Sequence, residues 1–117
     1  MLNIHKVKTV YLATGVTDLR KSIDGLSLIV QESFNLNLFS NALFVFCNSN
    51  KCKLKILHWE YNGFWLYYRR LSKGKFNWPM ANDEVIKIDI KELKWLLNGY
   101  EVRCGKRFEE VKERLII

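Results

Sequence analysis

Apolar and polar positions alternate, cluster and recur along the chain in a way that predicts its elements. Residues 7 to 13, VKTVYLA, are rich in β-branched and aromatic types and read as a strand. Gly15 then supplies a turn, and Thr17 and Asp18 supply a helix N-cap. From Leu19 the apolar positions Leu19, Ile23, Leu26, Val30 and Phe34 follow one another at helical spacing, while Arg20, Lys21, Asp24, Ser27 and Gln31 fall largely elsewhere. An amphipathic helix to about residue 34 is the expectation.

Three β-prone runs come next: ALFVFCN at 42–48, KCKLKILHWE at 51–60 and GFWLYYRRL at 63–71. The Asn62-Gly63 pair between the last two is a strong short-range hairpin signal. SKGK follows as a polar turn, FNWP ends at the only proline, and VIKI at 85–88 offers one more strand. Asp89 caps a second helix, IKELKWLLNG, whose apolar set is Ile90, Leu93, Leu96 and Leu97, with Gly99 where a helix C-terminus favours glycine. A short helix within 106–117 would place Phe108, Val111 and Leu115 on one side. The pattern predicts an α+β fold: an antiparallel sheet of about four to five strands packed against two main helices. No repeat, low-complexity run or Pro/Gly/Ser linker divides the chain, so residues 1–117 are expected to form a single domain.

Composition narrows the picture. A chain of 117 residues with 49% hydrophobic and 26% charged residues has enough apolar material for one core and too little for two. No window approaches the roughly 18 apolar residues of a spanning helix, and the N-terminus lacks the apolar stretch of a signal peptide. A soluble cytoplasmic protein is expected, with no membrane partner. Cys47, Cys52 and Cys104 are odd in number and irregularly spaced, which suits reduced thiols better than a disulfide framework.

The charge is uneven. Lys51, Lys53, Lys55, Arg69, Arg70, Lys73 and Lys75 against Glu60 give the stretch 51–75 a formal +6 of the net +7. Such a surplus favours a polyanionic partner, nucleic acid ahead of a membrane surface. Period two aims Lys51, Lys53 and Lys55 at one face of a strand, with Leu54 and Ile56 on the other. With Asn62-Gly63 as the turn, Trp59 would pair with Leu66, Leu57 with Tyr68, Lys55 with Arg70 and Lys53 with Ser72. One sheet face then becomes cationic with interleaved aromatics, and the opposite face is core-like except for Arg69. The plainer alternative is a solvated face with lysines guarding exposed strands.

Other chemistry finds little support. Cys47, Cys52 and His58, with Cys104 or His5 as a fourth, are too loosely spaced for a zinc knuckle and read as packed side chains, so no metal and no cofactor are expected. His58 has no nucleophile beside it in a recognisable pattern, and the carboxylates are scattered between caps, helices and loops. LATGVTD lacks the features of a nucleotide-binding glycine loop. The amides at Thr17 to Leu19, with Arg20 and Lys21 nearby, are open to two readings: phosphate binding, or simple helix capping.

Two stretches carry a resemblance. ATGVTDLRKSIDGL and RRLSKGKFNWP, with LFVFCN, KLKILHWEYNGFWLYY and IDIKELKWLLNG in the same order, resemble the TnpB accessory protein family, the second open reading frame product of insertion sequence 66 elements. The likeness covers about residues 10–99. Leu19 departs from the commoner Met, Cys47 and Cys52 from basic or polar residues, and the charged tail from about residue 100 has no clear counterpart. The resemblance implies a non-catalytic protein that assists bacterial transposition beside a separate DDE-type transposase.

Joined to the charge pattern, it yields a candidate DNA-binding set: Lys53, Lys55, Arg69, Arg70, Lys73 and Lys75, with Arg20 and Lys21 as a second contact. Trp78, Phe76 and Tyr68 are candidates for base stacking or a partner's pocket, against burial as core plugs for the first two. The alternative to DNA binding is an interaction module that docks on the transposase. A small metal-dependent nuclease is the third reading, and no small-molecule substrate is expected.

Overall fold

The computed structural model describes residues 7–99, and the expected short helix within 106–117 lies outside them. Five strands form one sheet: β1 (Thr9–Ala13), β2 (Ala42–Cys47), β3 (Lys53–Glu60), β4 (Gly63–Arg70) and β5 (Val85–Ile88), in the spatial order β4-β3-β2-β1-β5. Helix α1 (Ile23–Leu28) connects β1 to β2, and α2 (Ile90–Leu97) follows β5. The α+β expectation holds, with one difference in strand direction. β1 and β2 run parallel, because the connection carrying α1 crosses one face of the sheet before returning, whereas the other three pairs are antiparallel.

β2 is central and buried along its whole length, so its alternate residues feed two cores. On one face Phe44, Phe46 and Leu57 pack with Leu26 and Val30 of the α1 segment. On the other, Leu43, Val45, Leu54 and Ile56 pack with Leu93 and Leu96 of α2 and with Phe76 and Trp78. The second helix forms as expected. Asp89 accepts from the Glu92 amide at 2.8 Å while the Glu92 carboxylate accepts from the Asp89 amide at 3.3 Å, a reciprocal cap.

The first helix starts later than the periodicity predicts. Asp18 does accept from the Arg20 amide, at 3.0 Å, but it caps only a single turn. The backbone is extended at Ser22, and the helix begins at Ile23. In an unbroken helix the Lys21 carbonyl would bond to the Gly25 amide; here it accepts from Lys55 Nζ at 3.0 Å. After Leu28 the helix widens, Phe34 donating to the Ile29 carbonyl five residues back at 3.0 Å. Phe34 thereby stacks on Phe46, ring centroids 6.4 Å apart.

The β3–β4 register differs from the expected one by two residues. The turn residues are Tyr61 and Asn62, with φ of 48° and 66°, and Gly63 belongs to the strand opposite Glu60. Tyrosine in the left-handed region costs about 1–2 kcal/mol. The shift sets Trp59 opposite Phe64, their rings 4.9 Å apart, with Phe39 edge-on to Trp59 at 4.8 Å. Aromatic pairs of this kind contribute about 0.5–1.5 kcal/mol each, enough to offset the strain. A slip of two leaves every side chain on its expected face, whereas a slip of one would have inverted them all.

Candidate nucleic-acid interface

The sheet face under α1 is covered along only half of β3 and β4. Because α1 is short, it and the 34–39 segment shield Leu57, Trp59, Phe64 and Leu66, and the far end of both strands stays open. At that end Lys55 lies opposite Tyr68 and Lys53 opposite Arg70. The pairing corrects the expectation that Lys55 faces Arg70 and Lys53 faces Ser72, but a like-charge pair survives at Lys53 and Arg70. Two cations directly across a strand pair are destabilising by a few tenths of a kcal/mol, up to about 1.

Two turns wall this open end. One is the Thr17–Arg20 turn leading into α1, the other the β2–β3 turn at Asn48 and Ser49, and together with Lys53, Lys55 and Tyr68 they enclose a groove of about 710 Å³. Asn48 Oδ1 accepts from the Cys52 and Lys53 amides at 3.1 and 3.0 Å, fixing the turn that presents Lys53. Lys53 and Lys55 are half-buried and line the groove. The bond to the Lys21 carbonyl holds Lys55 in place and leaves its remaining protons for a ligand.

Charge compensation is uneven among the cations. Arg20 forms a two-pronged pair with Asp18, Nη2 to Oδ2 at 2.7 Å and Nε to Oδ1 at 2.9 Å. The hydrogen-bonding guanidinium holds the Asp18 carboxyl well below the usual carboxylate range. Lys53, Lys55 and Arg70 have no carboxylate at ion-pairing distance among the described residues. The groove floor therefore carries uncompensated positive charge, while its Arg20 rim is locally neutral.

The remaining expected residues separate. Arg69 lies on the opposite sheet face, opposite Leu54, with its guanidinium 6.0 Å from the Phe76 ring centroid. The alternation sends it to the core-like face as expected, so within the candidate DNA-binding set it does not lie beside Lys53 and Lys55. Lys73 and Lys75 are exposed on the turn around Gly74, beyond the end of β4, and Lys21 is exposed just before α1. Phe76 and Trp78 are buried, at 2% and 5% exposure, which overturns the stacking role considered for them. Trp78 donates its indole N–H to the Ala13 carbonyl at 2.9 Å, and Gly15 donates to the Pro79 carbonyl at 3.2 Å. The two stretches that carry the family resemblance are thus clasped to each other in the fold. Tyr68 alone of the three aromatics is open, at 55% exposure.

Three of the amides before α1, those of Thr17, Arg20 and Lys21, are bonded within the chain. Thr17 donates to the Cys47 carbonyl at 2.7 Å, Arg20 to Asp18 Oδ1 and Lys21 to the Asp18 carbonyl. Asp18 thus caps the turn through the Arg20 and Lys21 amides. Cys47 is buried and its thiol is pushed up to about 12 by loss of solvation, which suits a packed side chain. His58 is buried with Nε2 3.3 Å from Asn41 Oδ1, and burial lowers its pKa. No group of three metal-ligating side chains occurs among the described residues, and no helix among them is long and apolar enough to cross a membrane.

Asn48 and Ser49 were not singled out by the sequence reading. Their Asn-Ser-Asn run signals a turn, and only the fold sets it against residues 17–20.

Comparison with known proteins adds the final observations. A family model described as IS66 Orf2 like protein matches residues 8–107. The uncharacterized protein y4hO of Sinorhizobium fredii (strain NBRC 101917 / NGR234) is 38% identical over 94 residues, covering 80% of this chain and 82% of the relative. The uncharacterized protein y4jC of the same strain is 26% identical over 98 residues, covering 84% of each chain. No solved structure matches.

Proposed function

Because the chain belongs to the IS66 Orf2-like protein family, whose members are accessory proteins of an insertion sequence, we propose that it assists transposition without catalysis by binding DNA at the groove beside Lys53 and Lys55. One observation carries this reading: Lys53, Lys55 and Arg70 share one open end of a sheet face and have no carboxylate partner among the described residues. A phosphate oxygen placed between Lys53 and Arg70 would convert their mutual repulsion into two attractions. Lys21, Lys73 and Lys75 contribute more distant contacts from exposed positions. Arg69 has a smaller role than its place in the sequence implies, because it faces the other way.

The test is an electrophoretic titration at several salt concentrations. Binding to DNA should weaken linearly on a log–log scale, with a slope of about −0.9 per phosphate contacted, or roughly −3 to −5 overall. Changing Lys53, Lys55 and Arg70 together to Gln should flatten the slope by up to about 2.7, if each contacts one phosphate. Absence of binding at low salt, or a titration insensitive to salt, overturns the proposal.

A second reading, docking on the transposase, draws on the opposite end of the same hairpin. Phe39, packed on Trp59 and Phe64, and the turn residue Tyr61 are exposed there, while Trp65 is exposed on the opposite sheet face. Large exposed aromatics in one neighbourhood are typical of protein-binding surfaces. Co-purification of the two proteins at high salt, lost on changing Phe39 and Tyr61 to Ser, would favour it over direct DNA contact.

A further inference from the structure

The groove has an aromatic floor as well as cations, and this constrains the form of nucleic acid that fits. On the α1 face of β3 and β4, successive cross-strand pairs run Trp59–Phe64, Leu57–Leu66, Lys55–Tyr68, Lys53–Arg70. The first two pairs are at least partly buried beneath the α1 segment and Phe39. Tyr68 is where the apolar stripe emerges into the groove, and it has no ring partner among the described residues. A large ring left open between two lysines and an arginine has one face available for stacking. A base can cover that face only if it is not already stacked and paired inside a duplex.

Resting on the DNA-binding reading of the same site, we propose that the groove takes an unpaired DNA strand, one base stacked on Tyr68 and its flanking phosphates on Lys53 and Lys55. The groove, about 710 Å³, lies between the turns that carry Arg20 and Ser49 and has Lys53, Lys55 and Tyr68 in its lining. Lys55 is already tethered to the Lys21 carbonyl, so less freedom is lost when a phosphate arrives. Asn48 uses its oxygen within the turn, while its amide nitrogen makes only a 3.8 Å contact to Cys52 Sγ. That nitrogen remains available to donate to a base edge or a sugar. Single-strand sites elsewhere combine the same two parts, a cationic track and an aromatic platform.

Fluorescence anisotropy with a labelled thymidine oligonucleotide and with a duplex of equal length separates the possibilities. The wild-type chain should bind the single strand more tightly than the duplex. Tyr68→Ala should weaken single-strand binding roughly five- to a hundredfold and leave duplex binding within about twofold, since one stacked base is worth about 1–3 kcal/mol. Tyr68→Phe should retain the wild-type affinity, because the ring and not the hydroxyl does the stacking. A paired Lys53→Gln, Lys55→Gln variant should weaken binding to both forms. If Tyr68→Ala changes neither affinity, or if the duplex binds as tightly as the single strand, the inference fails while DNA binding by the lysines stands. If the wild-type chain binds neither form, both readings fall. Tyr68 is exposed, so thermal unfolding of Tyr68→Ala should match the wild type and confirm that the variant is folded.

Discussion

Replacing Trp78 by Phe distinguishes a structural tryptophan from one held out to a ligand. In the fold its indole N–H reaches the carbonyl of Ala13 at 2.9 Å, and both residues are buried, at 5% and 3% exposure. Phenylalanine leaves that carbonyl without its donor, a loss of about 1–3 kcal/mol when the acceptor has no access to water. The smaller ring also leaves a void beside Phe76 and the α2 leucines, for roughly another 1 kcal/mol. The sum, about 2–4 kcal/mol, is a large part of the 5–15 kcal/mol that typically separates folded from unfolded domains. Urea unfolding followed by far-ultraviolet circular dichroism should show a lower midpoint at unchanged slope. Affinity for DNA, measured where the variant is still fully folded, should be unaltered. A stability change below about 0.5 kcal/mol, the range of surface substitutions, together with weakened DNA binding would refute the reasoning and restore Trp78 as a contact residue.

Three further outcomes follow from other parts of the molecule. His58 is depressed below its ordinary pKa of 6.5 by burial, and its Nδ1 has no hydrogen-bond partner among the described residues. The unfolded chain therefore binds the proton more readily, and stability should be fully present above about pH 6.5 and fall as pH drops toward the folded-state pKa, by at most about 1.4 kcal/mol per pH unit. His58→Gln should flatten that fall in urea unfolding measured from pH 7.5 to pH 5, an outcome the reasoning requires. Tyr61→Asn should stabilise by up to about 1 kcal/mol, because asparagine tolerates the left-handed turn position and Tyr61 is 84% exposed, with little packing to lose. Thermal melts of the two proteins check this. Cys47 should resist alkylation by iodoacetamide at neutral pH until the protein unfolds, since burial holds its thiol protonated; peptide mapping of native and urea-treated samples reads the difference.

The boundaries of β2, β3, β4, β5 and α2 were legible because each is a short run with strong local signals: β-branched and aromatic strings, turn residues, and the Asp89 cap. Errors occurred where two local signals competed. Asp18 looks like the cap of a long helix and does cap a turn, but the chain breaks at Ser22 when the Lys21 carbonyl is drawn to Lys55 across 34 residues of sequence. Asn62-Gly63 is the better isolated turn, yet pairing Trp59 with Phe64 moves the turn back by one residue. Of the candidate site, Lys53, Lys55, Arg70 and Tyr68 were found together by period-two alternation. Arg69 was grouped with them by proximity in sequence, although the same alternation sends it to the other face.

Alternation and composition alone settled which side chains share a sheet face and that the net charge is concentrated in residues 51–75, since a strand's two-residue period survives any even slip of register. They could not settle which part of that face remains open. That depends on the length of α1, on the turn at Asn48 and Ser49 and on the clasp between Ala13 and Trp78, all of which join residues distant in the chain. Burial of Phe76 and Trp78 and exposure of Tyr68 are decided the same way. An aromatic ring has the same local preferences in either setting, and only the packing of other elements against it determines whether it meets solvent.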